Sequence, residues 1–360
     1  MKADSYNLIN LPAKLYKYYG HNETYNESRL TGNIFLASPL DFNDPCDCQR
    51  TVINNAMKKA NEHATNPKWL DCKLKELGFS DRQINKLKPL LLSGDEDATK
   101  EVYRKQLEHL GVLCLTSVPT DSLMWGYYAN NTGYCIEYDT TKIIQRLVIG
   151  FVNQIDYATT KLLYVDGRMS DKPEKRNPHI STEKKAYIAR FDESVISELT
   201  NPYLMEKVAR EKVLNFVRNI FLKRFAGANI TYDVTEEGSP GTLFFEENRL
   251  SSKEKYYRKT KMWEHEHEFR IIVSLGGRKS ISIGKDCIKS IFLGCNMPTE
   301  KVIEIATLMS KHDLQHVDLY MMNRTQRCDL EANPIAAIWS KLDSFKAVDD
   351  FLRQQCDTRW

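Results

Sequence analysis

No stretch of this 360-residue chain approaches the ~18 to 20 consecutive apolar residues of a membrane-spanning helix. The N-terminal MKADSYNLINLPAKLYKYYG has no apolar run of the signal-peptide kind. There is no G-x-G-x-x-G after a strand and no G-x-x-x-x-G-K-[ST], so Rossmann and P-loop nucleotide sites have no support. A G-x-S-x-G nucleophile elbow and an H-E-x-x-H zinc helix are also absent. Neither charge sign dominates: 51 Lys and Arg stand against 48 Asp and Glu, a net +3 that neither demands nor excludes a nucleic-acid partner. The nine cysteines are odd in number and scattered, several of them (Cys114, Cys135, Cys295) inside apolar segments. That pattern is expected of reduced, buried thiols in a cytoplasmic protein. Cys46 and Cys48 form a C-x-C with no second pair at zinc spacing, which favours two ordinary thiols over a metal site.

At 42% hydrophobic residues, the chain can bury a sizeable core. Short β-prone runs recur along it: KLYKYY from Lys14, NIFLASP from Asn33, GVLCLTS from Gly111 and TGYCIEYD from Thr132. EFRIIVSL and KSISIG flank Gly276-Gly277 and read as a β-hairpin. SIFLGC, TEKVIEIATLMSKHD and VDLYMM read as a β-α-β unit, with Thr299 as helix N-cap. Two helical insertions are expected, over about 51–110 and 181–226. In the first, Ser80 and Gln83 have capping-box spacing. SLMWGYYANN predicts a short helix ending near Asn130, and IAAIWSKLDSFKAVDDFLRQQ a terminal helix or two. The expected fold class is α+β, a single domain over 1–360 with a mixed or antiparallel β core.

WEHEHEFRI, Trp263 to Ile271, is the densest chemical stretch. Read as a strand, it puts Glu264, Glu266, Glu268 and Arg270 on one face and His265, His267 and Phe269 on the other. Glu266 and Glu268 would then repel across about 6–7 Å, raising one pKa unless Arg270 compensates. Such a carboxylate can hold a hydroxyl and stabilise developing positive charge. The plainer alternative is an edge strand whose charges discourage edge pairing. In MWGYYANN, Trp125 and Tyr128 offer flat faces for a base, though core packing is the commoner use of such rings. In FNDP, Asn43 and Asp44 fix a turn or line a pocket rim.

LYKYY, GNIFLASPLDFNDPCD, LCLTSVPTDSLMWGYYANNTGYCIEYD, Lys259 and the W-x-x-E-x-E-x-R on Trp263, Glu266, Glu268 and Arg270 together resemble a bacterial family, domain of unknown function 2971. That resemblance implies an intracellular defence or toxin role. The layout is also similar to the ADP-ribosyltransferase superfamily, in which a first-strand residue holds the NAD ribose, an aromatic packs on nicotinamide and a late glutamate steadies the reacting sugar. Carried over by position, this likeness implies Lys17 and Ser38 as NAD-binding residues, Tyr16, Tyr18 or Tyr128 as stacking rings, and Glu266 or Glu268 as the catalytic carboxylate beside Arg270. The chain departs from that pattern in having Lys17 where Arg or His is usual and in lacking the S-T-S triplet. The resulting expectation is an enzyme acting on a nucleotide-like ligand, most concretely an NAD-dependent ADP-ribosyltransferase-like effector with a macromolecular acceptor, nucleic acid among the candidates. Two alternatives stay open: a nuclease holding divalent metal on Glu266, Glu268 and Asp44, and a non-catalytic nucleotide or protein sensor.

Overall fold

The computed structural model describes residues 12–44, 47–48, 70–71, 74–75, 77–140, 142–143, 146–147, 225–229, 231–233, 256, 258–274, 276–327 and 329–355. Much of the chain's β-prone sequence gathers in one eight-stranded sheet, ordered β12-β11-β10-β4-β1-β3-β8-β5. Its strands are β1 (Lys14–Tyr19), β3 (Leu110–Thr116), β4 (Tyr134–Asp139), β5 (Phe225–Asn229), β8 (Glu268–Ser274), β10 (Ile288–Leu293), β11 (Asp318–Arg324) and β12 (Leu330–Pro334). All neighbouring pairs are antiparallel except β10–β11, which is parallel. That parallel pair is joined by α5 (Thr299–Lys311), the expected β-α-β unit. Two smaller sheets pair β2 (Asn33–Leu36) with β9 (Lys279–Ser282), and β6 (Thr231–Asp233) with β7 (Arg258–Thr260). With α1 (Glu23–Leu30), α2 (Asp81–Leu92), α3 (Glu96–His109), α4 (Ser122–Ala129) and α6 (Phe345–Gln355), the fold is α+β.

Strand alternation divides the side chains of the large sheet between two cores. Leu15, Tyr19, Leu113, Leu115, Ile136, Phe269, Ile271 and Val273 pack on one face with Val302, Ile305 and Met309 of α5 and Val348 and Leu352 of α6. On the other face, Tyr16, Tyr18, Cys135 and Phe292 meet Met124, Trp125 and Ala129 of α4. Further along that face, Val112 and Ile272 meet Tyr103 and Leu107 of α3. Leu77, Ile84, Leu87, Leu91 and Ala98 form a separate small core for α2 and α3, as suits a helical excursion. The Ser80–Gln83 capping box is present.

Several expectations change. KSISIG does not return along β8 as a hairpin: β9 pairs with β2, and both edges of β8 are occupied, by β3 and β5. Glycines permit the turn, but the partner is chosen by the edges left open. Thr299 lies just inside α5 after the cap residue Pro298, and its hydroxyl donates to Asp349 of α6 at 2.6 Å. Residues 225–226, expected to end a helical insertion, begin β5. The rest of that insertion, residues 51–69 of the other, and Cys46 lie outside the described residues. Among the described residues, no helix is long and apolar enough to cross a membrane.

α4 is tied down at both ends. Asp121 caps it by accepting from the Met124 amide at 2.8 Å, and Asn130 ends it in the left-handed conformation, φ 51°. Gly133 then enters β4 so close to β1 that a Cβ there would lie 2.1 Å from the Tyr19 carbonyl oxygen. Gly133→Ala should therefore lower stability by more than about 2 kcal/mol, read as a fall in thermal midpoint. An unchanged midpoint would contradict the close approach.

Candidate functional site

Residues Lys261–Glu266 form a 3-10 helix and the strand begins only at Glu268, so WEHEHEFRI is not one continuous strand. His267 joins the two with φ 42°, in the left-handed region. Glu266 therefore reaches the site from a turn, and only Glu268 and Arg270 share a strand face. The grouping of Glu266 with Glu268 survives although the expected periodicity does not.

Those three residues meet two more charges, all nearly sealed from solvent: Asp47, Lys259, Glu266, Glu268 and Arg270 are each 8% exposed or less. The guanidinium of Arg270 is the hub. It donates to both oxygens of Glu268, at 2.6 and 3.0 Å, and to both oxygens of Asp47, one of them at 2.8 Å. It also donates to the Tyr256 carbonyl at 2.9 Å, and its plane lies 5.3 Å from the Phe42 ring centroid. Only a planar fork with five donors serves two carboxylates and a carbonyl at once. Lys259 donates to Glu266 at 2.5 Å, lies 3.6 Å from Glu268 and 3.7 Å from Asp47, and sits 4.6 Å from the Trp263 ring centroid. The Tyr128 hydroxyl donates to the other oxygen of Glu266 at 2.5 Å and receives the Asn43 amide at 3.4 Å. Tyr128 is half-buried and Asn43 exposed, so this chain of contacts leads from the buried charges to the surface.

The two glutamates titrate in opposite directions. Burial raises the pKa of Glu266, and the nearby charge of Glu268 adds to that, while Lys259 opposes it; the net shift is upward. Burial also works to raise Glu268, but the charge and hydrogen bonds of Arg270, helped by Lys259, hold it at about 2. Glu266 is thus the more readily protonated of the two. Glu268 is the permanent anion that holds Arg270.

Asn43 and Tyr128 join the site, and Asp44 is buried in the turn whose carbonyl receives the Asp47 amide at 3.1 Å. The remaining expected binders lie elsewhere. Lys17 shares its face of β1 with Leu15 and Tyr19, opposite to the face carrying Glu268 and Arg270. Its ammonium donates to the Cys114 carbonyl at 3.1 Å, and burial lowers its pKa. Ser38 caps a short 3-10 turn, and its hydroxyl donates to the Leu107 carbonyl at 2.9 Å. Tyr16 and Tyr18 pack edge-on against Phe292 and Trp125, and the Trp125 indole donates to the Pro119 carbonyl at 2.8 Å. These rings are core, as alternation along a strand buried on both faces requires. Sequence reasoning did not single out Asp47 as a site residue, and noted Lys259 only through family likeness. Asp47 carries no periodic signal, being a turn residue 223 positions from its partner Arg270. Among the described residues, no group of three or more His, Cys, Asp and Glu is arranged to hold a metal ion.

Two predictions follow from the opposed glutamates. Glu268→Gln leaves Arg270 short of a counter-charge in a sealed site and should cost about 3 kcal/mol, whereas Glu266→Gln keeps the Tyr128 contact, leaves Lys259 beside Glu268 and Asp47 at 3.6 and 3.7 Å, and should cost less, about 1 kcal/mol. Equal losses in urea titrations would refute that asymmetry. The pKa of Glu268 is depressed on folding, so its stabilisation is complete above the unfolded value of about 4.3 and is lost as the pH falls towards about 2. In Glu268→Gln, the urea midpoint should fall less steeply with acid over that window than in the wild type.

Nothing among curated proteins and nothing among solved structures matches the chain. A family model does: residues 124–271, from within α4 into β8 and including Tyr128, Lys259, Glu266, Glu268 and Arg270, are similar to the family described as Protein of unknown function (DUF2971).

Proposed function

We propose that this protein is an enzyme acting on a nucleotide-like ligand, most concretely an NAD-dependent ADP-ribosyltransferase-like effector, with Glu266 as its reacting carboxylate. The observation that carries the reading is the contact of Glu266 with half-buried Tyr128, at the point where the buried charges approach the surface. A ribose hydroxyl taking the place of the Tyr128 hydroxyl would donate to the same carboxylate oxygen. That hydrogen bond strengthens as positive charge builds on the sugar during cleavage of its C–N bond. The electron pair of that bond leaves with nicotinamide, and the acceptor's nucleophile bonds to the sugar carbon and gives up its proton to solvent. Lys259 keeps Glu266 oriented, and Glu268 with Asp47 keeps Arg270 in place; these are positioning residues. Lys17, on the opposite face of the sheet, has no part in this version of the site. The acceptor is a macromolecule, and a defence or toxin role in the cytoplasm suits such an effector.

One observation favours a second reading, a non-catalytic nucleotide sensor: each oxygen of Glu266 and Glu268 already has a protein partner. The same saturation weighs against a nuclease holding metal on Glu266, Glu268 and Asp44, because Arg270 occupies both oxygens of Glu268.

Incubation with NAD and a panel of protein and nucleic-acid acceptors, with release of nicotinamide as the readout, separates these readings. The wild type should consume NAD without added metal, and Glu266→Gln should lose about 100-fold or more of that rate while staying folded at the assay temperature. Unchanged NAD alongside a ligand-induced thermal shift would favour the sensor. Chelator-sensitive loss of nucleic acid would favour the nuclease.

A further inference from the structure

Beside Glu266 lies a feature that neither the buried charges nor the core explains. Tyr127 of α4 and Trp263 and His265 of the 3-10 helix form a triangle of rings, with centroids 6.1, 6.3 and 6.4 Å apart and planes tilted by 31°, 42° and 57°. Tyr127 is 63% exposed; beside these rings in sequence, Met262 is 75% and Leu123 48% exposed. Grouped rings at a surface mark binding sites more often than scattered apolar side chains do. The group is continuous with the site: Tyr127 precedes Tyr128, and His265 precedes Glu266, the two residues joined at 2.5 Å.

His265 adds a chemical requirement. Its Nδ1 lies 3.1 Å from the Met262 carbonyl oxygen, which can only accept, so Nδ1 carries the proton in that bond. In the neutral ring, Nε2 is then an acceptor. It is shielded from solvent and has no hydrogen-bond partner among the described residues. A buried acceptor without a donor is a cost that a ligand N–H can remove.

We propose that Tyr127, Trp263 and His265 form the seat for a planar nitrogen heteroaromatic group carrying an N–H donor edge, of the nucleobase or carboxamide-pyridine kind. The ring enters beside exposed Tyr127 and stacks on Trp263, and a turn of the His265 side chain brings its Nε2 out to the donor. The assignment rests on the proposed nucleotide-like ligand and deepens it, placing the ring of that ligand beside Glu266.

Calorimetric titration of the full chain with adenosine, with nicotinamide and with ribose 5-phosphate tests it. At least one of the two ring compounds should bind, and which one does so identifies the source of the ring; ribose 5-phosphate should bind more weakly than that compound. Tyr127→Ala and Trp263→Ala should each weaken ring binding about tenfold or more, and His265→Phe should weaken it while keeping an aromatic surface. Because Tyr127 is exposed, its variant keeps the test meaningful if Trp263→Ala fails to fold. Absence of binding by both ring compounds up to millimolar concentration would overturn the proposal, as would equal affinity in Tyr127→Ala. So would a wild-type dimer that dissociates in Tyr127→Ala, which would assign the rings to a second copy of the chain. The outcomes are separable from those of the transferase test. Ring binding lost in Tyr127→Ala without any NAD turnover supports this seat and sinks the transferase. NAD turnover whose KM is unmoved in Tyr127→Ala sinks this seat alone.

Discussion

The guanidinium of Arg270, sealed among Glu268, Asp47 and the Tyr256 carbonyl, is the interaction on which the candidate site depends. It joins a central strand to a turn from the N-terminal third of the chain and to the segment just before β7. A charge so deeply buried is tolerated only when its donors are matched, and once matched it allows few other arrangements of its partners. Lys259 extends the cluster by bridging Glu266 to the same carboxylates. Three acids and two bases thus share a volume from which water is nearly excluded, with the acids in excess. Burial raises the pKa of both glutamates; Arg270 overrides it at Glu268, and Lys259 does not at Glu266.

The division of labour between Glu266 and Glu268 follows from their local structure. Glu268 belongs to a strand bonded on both edges, so its carboxylate meets Arg270 two residues on. Glu266 ends a 3-10 helix, and the positive φ of His267 re-aims the backbone between them. One carboxylate is therefore a structural anion, while the other meets a half-buried tyrosine next to exposed rings. α4 connects these two regions: its inner side buries Met124, Trp125 and Ala129, while Tyr127 and Tyr128 lie at the site.

Much of the fold was legible because its signals are local. The capping box at Ser80, the αL residue Asn130, the strand alternation of β1 and β4 and the β-α-β order of the C-terminal third all depend on residues a few positions apart. The likeness in W-x-x-E-x-E-x-R pointed to Glu266, Glu268 and Arg270, which the structure brings together even though its conformation differs from the strand expected. Where local signals were read as function, the structure often shows packing: Tyr16, Tyr18 and Trp125 are aromatic because β1 is covered on that face by α4.

The sequence by itself determined the α+β class, most strand positions, the caps at Ser80 and Asn130 and the pairing of Glu268 with Arg270, since a period of two sets which residues share a strand face. Only the tertiary structure decided that β9 joins β2 instead of β8, that Lys17 faces away from the carboxylates, and that Asp47 and Lys259 complete the cluster. Those outcomes depend on which strand edges remain open and on how buried charges find counter-ions up to 223 residues away, and neither is encoded in any local spacing.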